Sequence, residues 1–488
     1  MKTWQSLQVA ALLGTQKPQA PLHWPDNSLQ QLADQLPQEP PILLNQLALM
    51  SVYVRAGHSP VPCSVQDLAP EDSLAIANTA QQKHLSYVLS PEGQDYLSTW
   101  LTYAQGARVR CPHRYLAQLL ELGTKHKKWR IGIAQVVGAR GAWLAQQQAE
   151  WAWLRGGQIC LSDPQLLTEW HTASTASREL LFERLRQAQP AQALAFLAQI
   201  YAEESANTRK SLLEKLAIHL SSADHDFLEG CLDDRSKVVK EVVVDLLARL
   251  PNSALQQRLQ TCLSTHLLLK KGMMHKALVI EAIESVSASL ERDGLNPKAA
   301  DIKNGLGEKA QWLRDVLAGV SLTWLSIHYE MDGEQFLAAS MKTDWAEAIV
   351  TGLATAAIRQ QQEDWLKALL AVQSKKFQLN KFQLFNALTP PHKEHYLLKQ
   401  LALSKKTSEQ ANTVMQFFYH SDGWLWSSYF TQVVMGIYQE QIKEQQHSQL
   451  HVYLARFGDW QLSKQINDYP SPILHAWQIR MEMAQAFV

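Results

Sequence analysis

Two pairs of histidines and two pairs of adjacent acids are the side chains whose spacing could do chemistry in this sequence. His392 with His395, and His447 with His451, are separated so that on a helix each pair would turn two imidazoles to one face, as metal ligation requires. Neither pair has a third ligand type marked nearby, and solvent-exposed histidines account for both. Glu203-Glu204 and Asp233-Asp234 offer paired carboxylates, but general acid–base work needs two carboxylates converging across a cleft, and sequence neighbours on a helix diverge. Asp234 and Ser236 stand just before a valine-rich helical run and read as cap residues.

The motifs that would carry harder chemistry are missing. A phosphate-binding loop needs Gly-Lys followed by Ser or Thr, and the sequence has no Gly-Lys dipeptide; a zincin needs His-Glu, and no His is followed by Glu. Neither Gly-x-Ser-x-Gly nor Gly-x-Gly-x-x-Gly occurs, which removes the nucleophile elbow and the dinucleotide fingerprint. No catalytic, cofactor-binding or metal-binding residue is assigned, no cofactor is expected, and the chain reads as a non-enzyme.

Two groups of side chains are candidates for binding. Lys125, Lys127, Lys128 and Arg130 surround Trp129, which is the pattern a phosphate-and-base contact uses; cations completing a helix C-terminus are the plainer account, favoured by the helix dipole. Trp151 with Trp153, and Trp424 with Trp426, are spaced by two, so on a helix the members of each pair cannot share a face. One of each pair is then a candidate exposed anchor for a protein partner, against burial under a neighbouring lobe.

Composition narrows the partners. Lys plus Arg and Asp plus Glu number 46 each, so the whole molecule has no field drawing it to nucleic acid or anionic membranes. The five cysteines, Cys63, Cys111, Cys160, Cys231 and Cys262, form no Cys-x-x-Cys pair, which argues for thiols in a reducing cytoplasm. The N-terminal run is interrupted by Gln5, Ser6, Gln8 and Gly14 and reads as an amphipathic helix, not a secretory signal. No stretch is apolar for the roughly 18 residues that span a bilayer.

The elements that must position these residues are helices. Ser90-Pro91, Asp163-Pro164 and Asn296-Pro297 read as helix starts, and strand signals are nearly absent, with Leu278 to Ile283 the one candidate extended piece. From Ser174 to Ser264 three copies of a unit of roughly 31 residues superimpose, the length of a helical repeat. Leu181, Leu212 and Val242 share one column and Leu185, Leu216 and Leu246 the next. Leu197, Leu228 and Leu259 form the column of the second helices, extended by Ile200, Cys231 and Cys262 one turn on. In the third copy Val239, Val242, Val243, Leu246, Leu247 and Leu250 recur at helical spacing, opposite a stripe of Lys237, Glu241, Asp245 and Arg249. The expected fold is all-α, an α-solenoid of HEAT-like helix pairs flanked by N- and C-terminal helical lobes: 1–157 a helical lobe, 163–265 the repeats, 266–310 an irregular linker, 311–488 a second lobe.

Several segments carry a family resemblance. Trp4 to Thr15 with Ala11-Leu12-Leu13-Gly14-Thr15, Tyr53-Val54-Arg55-Ala56-Gly57, Gly138-Ala139-Arg140-Gly141-Ala142-Trp143-Leu144 and Trp151-Ala152-Trp153 are similar to a bacterial family of uncharacterised helical-repeat proteins. So are Asp233-Asp234-Arg235-Ser236-Lys237, Arg292-Asp293-Gly294, Gly305 to Ala310 with Trp312-Leu313, and Asp344-Trp345-Ala346-Glu347-Ala348. Lys240 stands where that family more often has Arg, and residues 60 to 90 match poorly. The resemblance implies genes beside those of a MoxR-type AAA+ ATPase, a von Willebrand factor A domain protein and a SWIM zinc-finger protein, and no established enzymatic activity. The expected function is therefore a cytoplasmic, non-enzymatic scaffold or adaptor binding proteins, with the MoxR-type ATPase and the A-domain protein as partners. The alternative is a HEAT-like nucleic-acid-binding protein similar to alkylpurine DNA glycosylases, against which the alternating charges of the 237–249 stripe count.

Overall fold

A computed structural model describes residues 2–14, 22–37, 42–57, 68–158, 166–271, 276–298, 306–446, 449–464 and 471–488. It divides into two compact units, Met1–Leu68 and Ala69–Val488. Among the described residues the structure is all-helical but for two small two-stranded sheets. In the first unit, helices Lys2–Leu13 and Ile42–Ala56 pack through Leu7, Leu43 and Met50. Between them Asp26 caps Asn27–Asp34 by accepting the Leu29 N–H at 2.8 Å.

The larger unit takes in residues 69–157 as well as the repeats and everything after them. Its middle is three consecutive helix pairs: Thr175–Ala188 with Pro190–Ile200, Ala206–Lys215 with His225–Cys231, and Lys237–Arg249 with Ala254–His266. Each opening helix packs on that of the next pair. Serines begin several of them, with Ser174, Ser205 and Ser253 each accepting the N–H three residues on. The apolar columns face inward as their period requires: Leu181, Leu185, Leu212, Leu216, Leu246, Leu197, Leu228, Leu259, Ile200 and Cys231 are buried. Cys262 and Val242 are half-buried against the same core, and Val243 takes the deeper place beside Val242. Burying such side chains stabilises by roughly 1.5–3 kcal/mol each, which a lone helix pair could not collect. On the solvent stripe Asp245 pairs with Arg249, whereas Lys237 and Glu241 form no ion pair among the described residues.

Three expectations need correction. The 266–310 segment is not without regular structure: Leu267–Lys271 and Lys276–Ile280 form an antiparallel hairpin, with Leu267 opposite Ile280 and the Leu267 carbonyl accepting the buried Tyr329 hydroxyl at 2.8 Å. The second strand overlaps the Leu278 to Ile283 piece read as extended, whereas Leu267–Lys271 has no alternation in its sequence to mark it. Ser90-Pro91 opens a turn before the short Gln94–Tyr96 helix, and Asn296-Pro297 opens a turn in which Asn296 Oδ1 accepts the Lys298 N–H at 3.1 Å. Asp163-Pro164 lies outside the described residues.

The last helix, Ser471–Gln485, returns to the start of the larger unit. Gln81 donates to the Ala486 carbonyl at 3.1 Å, and the Phe487 ring meets Trp100 edge-on at 5.8 Å. Both ends of this unit thus share one core. No helix among the described residues is long and apolar enough to cross a membrane.

Candidate functional site

A recess of about 740 Å³ lies where the 237–249 helix meets Glu308–Gly319 and Ala346–Gln360, roofed by the turn Asp293–Pro297. Sequence segments far apart converge there: Arg235 and Lys237, Asp293 and Gly294, and the helix containing Trp312. The turn is built by a glycine. Helix Ala288–Arg292 ends with Gly294 at φ +97°, so that the Leu295 N–H reaches the Leu290 carbonyl at 3.0 Å and Leu295 is buried. A Cβ on Gly294 would lie 2.9 Å from a Val244 methyl, which closes the position to other residues on steric grounds too. The far side is pinned by Trp312, whose indole N–H donates to the Asn296 carbonyl at 2.8 Å.

Ion pairs lock this turn to the helix pairs. Arg258 forms a two-pronged bond to the buried Asp293 carboxylate at 2.8 and 2.6 Å and also reaches Glu229 at 2.8 Å. Arg292 grips Asp233 at 2.7 and 3.1 Å and Glu229 at 2.8 Å. The bonded carboxylates hold both guanidinium groups above their ordinary pKa, and Arg292 in turn holds Asp233 below its own. Asp234 is equally committed: Arg209, the Tyr201 hydroxyl at 2.9 Å and the Ser236 N–H at 2.8 Å converge on it. Burial pushes its carboxyl up, and those three donors outweigh burial and leave it low. The two adjacent acids are structural. Asp234 fixes the residue before the helix, while the Ser236 side chain, expected to cap it, makes no cap bond.

The entrance to the recess carries both signs of charge, for Glu241 and Glu291 line it too and form no ion pair among the described residues. Arg235, Lys237 and Lys240 line it at the start of the 237–249 helix and make no ion pair among the described residues. No acid occupies that first turn. Cations at the positive end of a helix dipole are unfavourable by themselves and add to its pull on an anion. Deeper in, Gln311 gives its amide N–H to Asp315 at 2.8 Å, and its buried Oε1 has no partner among the described residues. Arg359 seals the back, donating to Asp245 at 2.9 Å and to the Ala318 carbonyl at 2.8 Å. The walls close up because Gly352 lets the 346–360 helix approach the Arg314 backbone.

The candidates read from the sequence lie elsewhere. All four tryptophans are buried, so of the two readings weighed for each pair it is burial, and not an exposed anchor, that holds. The spacing argument presupposed a helix. Trp151 ends the short helix Ala149–Trp151 and Trp153 begins the next, so both turn inward, and Trp153 donates to Thr124 Oγ1 at 3.1 Å. Trp424 and Trp426 lie in an extended stretch, where residues two apart share a face. Both enter a cluster with Phe418, and Leu425 between them is the exposed one, at 69%.

Of the basic run, Arg130 donates to the Gly123 and Thr124 carbonyls ending helix Leu116–Lys125, Lys127 pairs with Glu179 at 2.9 Å, and Lys128 stands over the Trp129 ring. Lys125 sits in the last turn of that helix. These are helix-end cations. Glu204 takes the Trp170 indole N–H and Arg178, and His392 faces Glu363 and Thr389. His447, Cys63 and Cys160 lie outside the described residues. Among the described residues no three His, Cys, Asp or Glu side chains converge as a metal site. Spacing does not single out Arg235, Lys240, Gln311 and Arg314, because the first two lie at the start of the 237–249 helix and the last two in the 308–319 helix, and the segments of the family resemblance lie beside both.

No curated protein and no solved structure matches this chain. A family model does, over residues 6–487, nearly the whole length. The chain belongs to DUF5691, a family of unknown function.

Proposed function

We propose that the chain is a non-enzymatic scaffold that holds a partner protein by an acidic segment laid in the recess beside the 237–249 helix. One observation carries this: Arg235, Lys237 and Lys240 line a recess of about 740 Å³ without an ion-pair partner among the described residues, and they outnumber Glu241 and Glu291, the lining acids that are likewise without one. Carboxylates of a partner would complete those cations, and a backbone N–H would satisfy Gln311 Oε1. In this reading the three helix pairs are HEAT-like repeats of an α-solenoid, an architecture that offers extended binding surface rather than chemistry. The setting is cytoplasmic, in keeping with free thiols at Cys111, Cys231 and Cys262. The MoxR-type ATPase and the von Willebrand factor A domain protein implied by the resemblance are the first partners to try.

The experiment is co-precipitation of those two proteins with the wild-type chain and with the triple variant R235E/K237E/K240E, both verified as folded. Retention by the wild type and loss in the variant is the expected result. Retention by neither at low-micromolar concentration removes these partners, and equal retention by both removes the recess as the site. Duplex DNA binding that falls steeply with salt would put the nucleic-acid reading in its place.

A further inference from the structure

A second pocket, of about 240 Å³, lies where the C-terminal helix returns to the start of the larger unit. Arg480 lines it and is 8% exposed, among the rings of Tyr96, Tyr103, Trp424, Phe457 and Trp460. One nitrogen, Nη1, donates to the Gly458 and Ala455 carbonyls at 2.7 and 3.3 Å. Nε and Nη2 make no hydrogen bond among the described residues, and neither is sealed off as a buried atom. Arg480 forms no ion pair there either. Of the nearby acids, Asp95 pairs with Arg456 at 3.1 Å, and Asp459 accepts from the Ser428 hydroxyl and the Gln461 N–H while its charge favours the Arg480 cation without a direct bond to it. Burial accordingly pushes the guanidinium below its usual pKa.

A buried, fixed cation with no carboxylate bonded to it is costly, and a planar guanidinium with two free N–H edges matches a carboxylate. We propose that this pocket binds a small monocarboxylate with an aromatic or branched apolar body, its carboxylate on Arg480 and its body among the rings. The volume falls below the roughly 300–1,000 Å³ of drug-sized sites, which restricts the ligand to a single ring or a single side chain. A free acid and the last residue of a peptide share that chemistry. This site is separate from the recess of the scaffold reading and stands without it.

Calorimetric titration of the full chain with 3-phenylpropionate, and separately with acetyl-Gly-Phe, distinguishes the two sources. Either acid is expected to bind at least about tenfold tighter than its amide counterpart. Arg480→Met should abolish that preference. Because Arg480 also holds two carbonyls, the exposed pocket residue Thr99 provides a second variant: Thr99→Glu supplies a resident carboxylate and should weaken acid binding at least about tenfold with the melting curve unchanged. No heat from either acid up to about 5 mM, equal binding of acid and amide, or undiminished binding by folded Thr99→Glu each overturns the proposal.

Discussion

Two arginines are almost wholly inside this protein, and their surroundings differ. Arg186, 1% exposed, lies between the first and second helix pairs, where it donates to the carbonyls of Ile218, Pro190, Leu216 and His219 and to Asp224 at 2.7 Å. Its fork closes the turn after the 206–215 helix, and Asp224 neutralises it in place. Arg480 has two carbonyls, no carboxylate and a ring of aromatics. Burial alone is therefore no guide to role. A buried charge with every donor used is part of the fold, and one with donors to spare beside a pocket is available to a ligand.

The comparison can be broken at its structural end first. Arg186→Met should cost about 3–5 kcal/mol in urea unfolding, since it strands the Asp224 carboxylate and four carbonyls in the interior; a loss below about 1 kcal/mol would mean the fork is not structural. Arg480→Met should cost much less, because it removes an unpaired charge. Between them lies Gly294→Ala, which forces a left-handed backbone onto alanine against Val244 and should cost about 1–3 kcal/mol, read as a lower melting temperature. An unchanged melt would show that the turn relaxes freely.

The smallest effect is on pH. Asp234 is held below its ordinary value of 3.8, so its contribution is complete above that value and is lost as pH falls through the lower folded one. Acidification through that window should lower the melting temperature by a few degrees in the wild type. Asp234→Asn should be less stable at neutral pH and flatter in that window; equal acid slopes would discount the Arg209–Asp234 contact.

The buried helix faces were legible because a three-and-four period in leucine and valine has a single physical reading, an inward helix face, and Leu212, Leu216 and Leu246 lie where it puts them. Arg186 was not legible. A charged residue in a helical run looks like solvent stripe until the neighbouring turn brings carbonyls to it. Trp424 and Trp426 were misread because a spacing of two means opposite sides on a helix and the same side on extended chain, and nothing in residues 421–427 fixes which. The recess shows a third kind of limit. Arg235, Gln311 and Arg314 have unremarkable neighbours in sequence, and only the packing of the 237–249, 308–319 and 346–360 helices puts them together.

The most direct test of the central claim, that the recess is a cation-lined seat for an acidic segment, is fluorescence anisotropy of a labelled hexaglutamate peptide over a salt series. Saturable binding that weakens with salt and drops at least about 100-fold in folded R235E/K237E/K240E is predicted. Equal binding by wild type and variant, or no binding by the wild type at low salt, would contradict it.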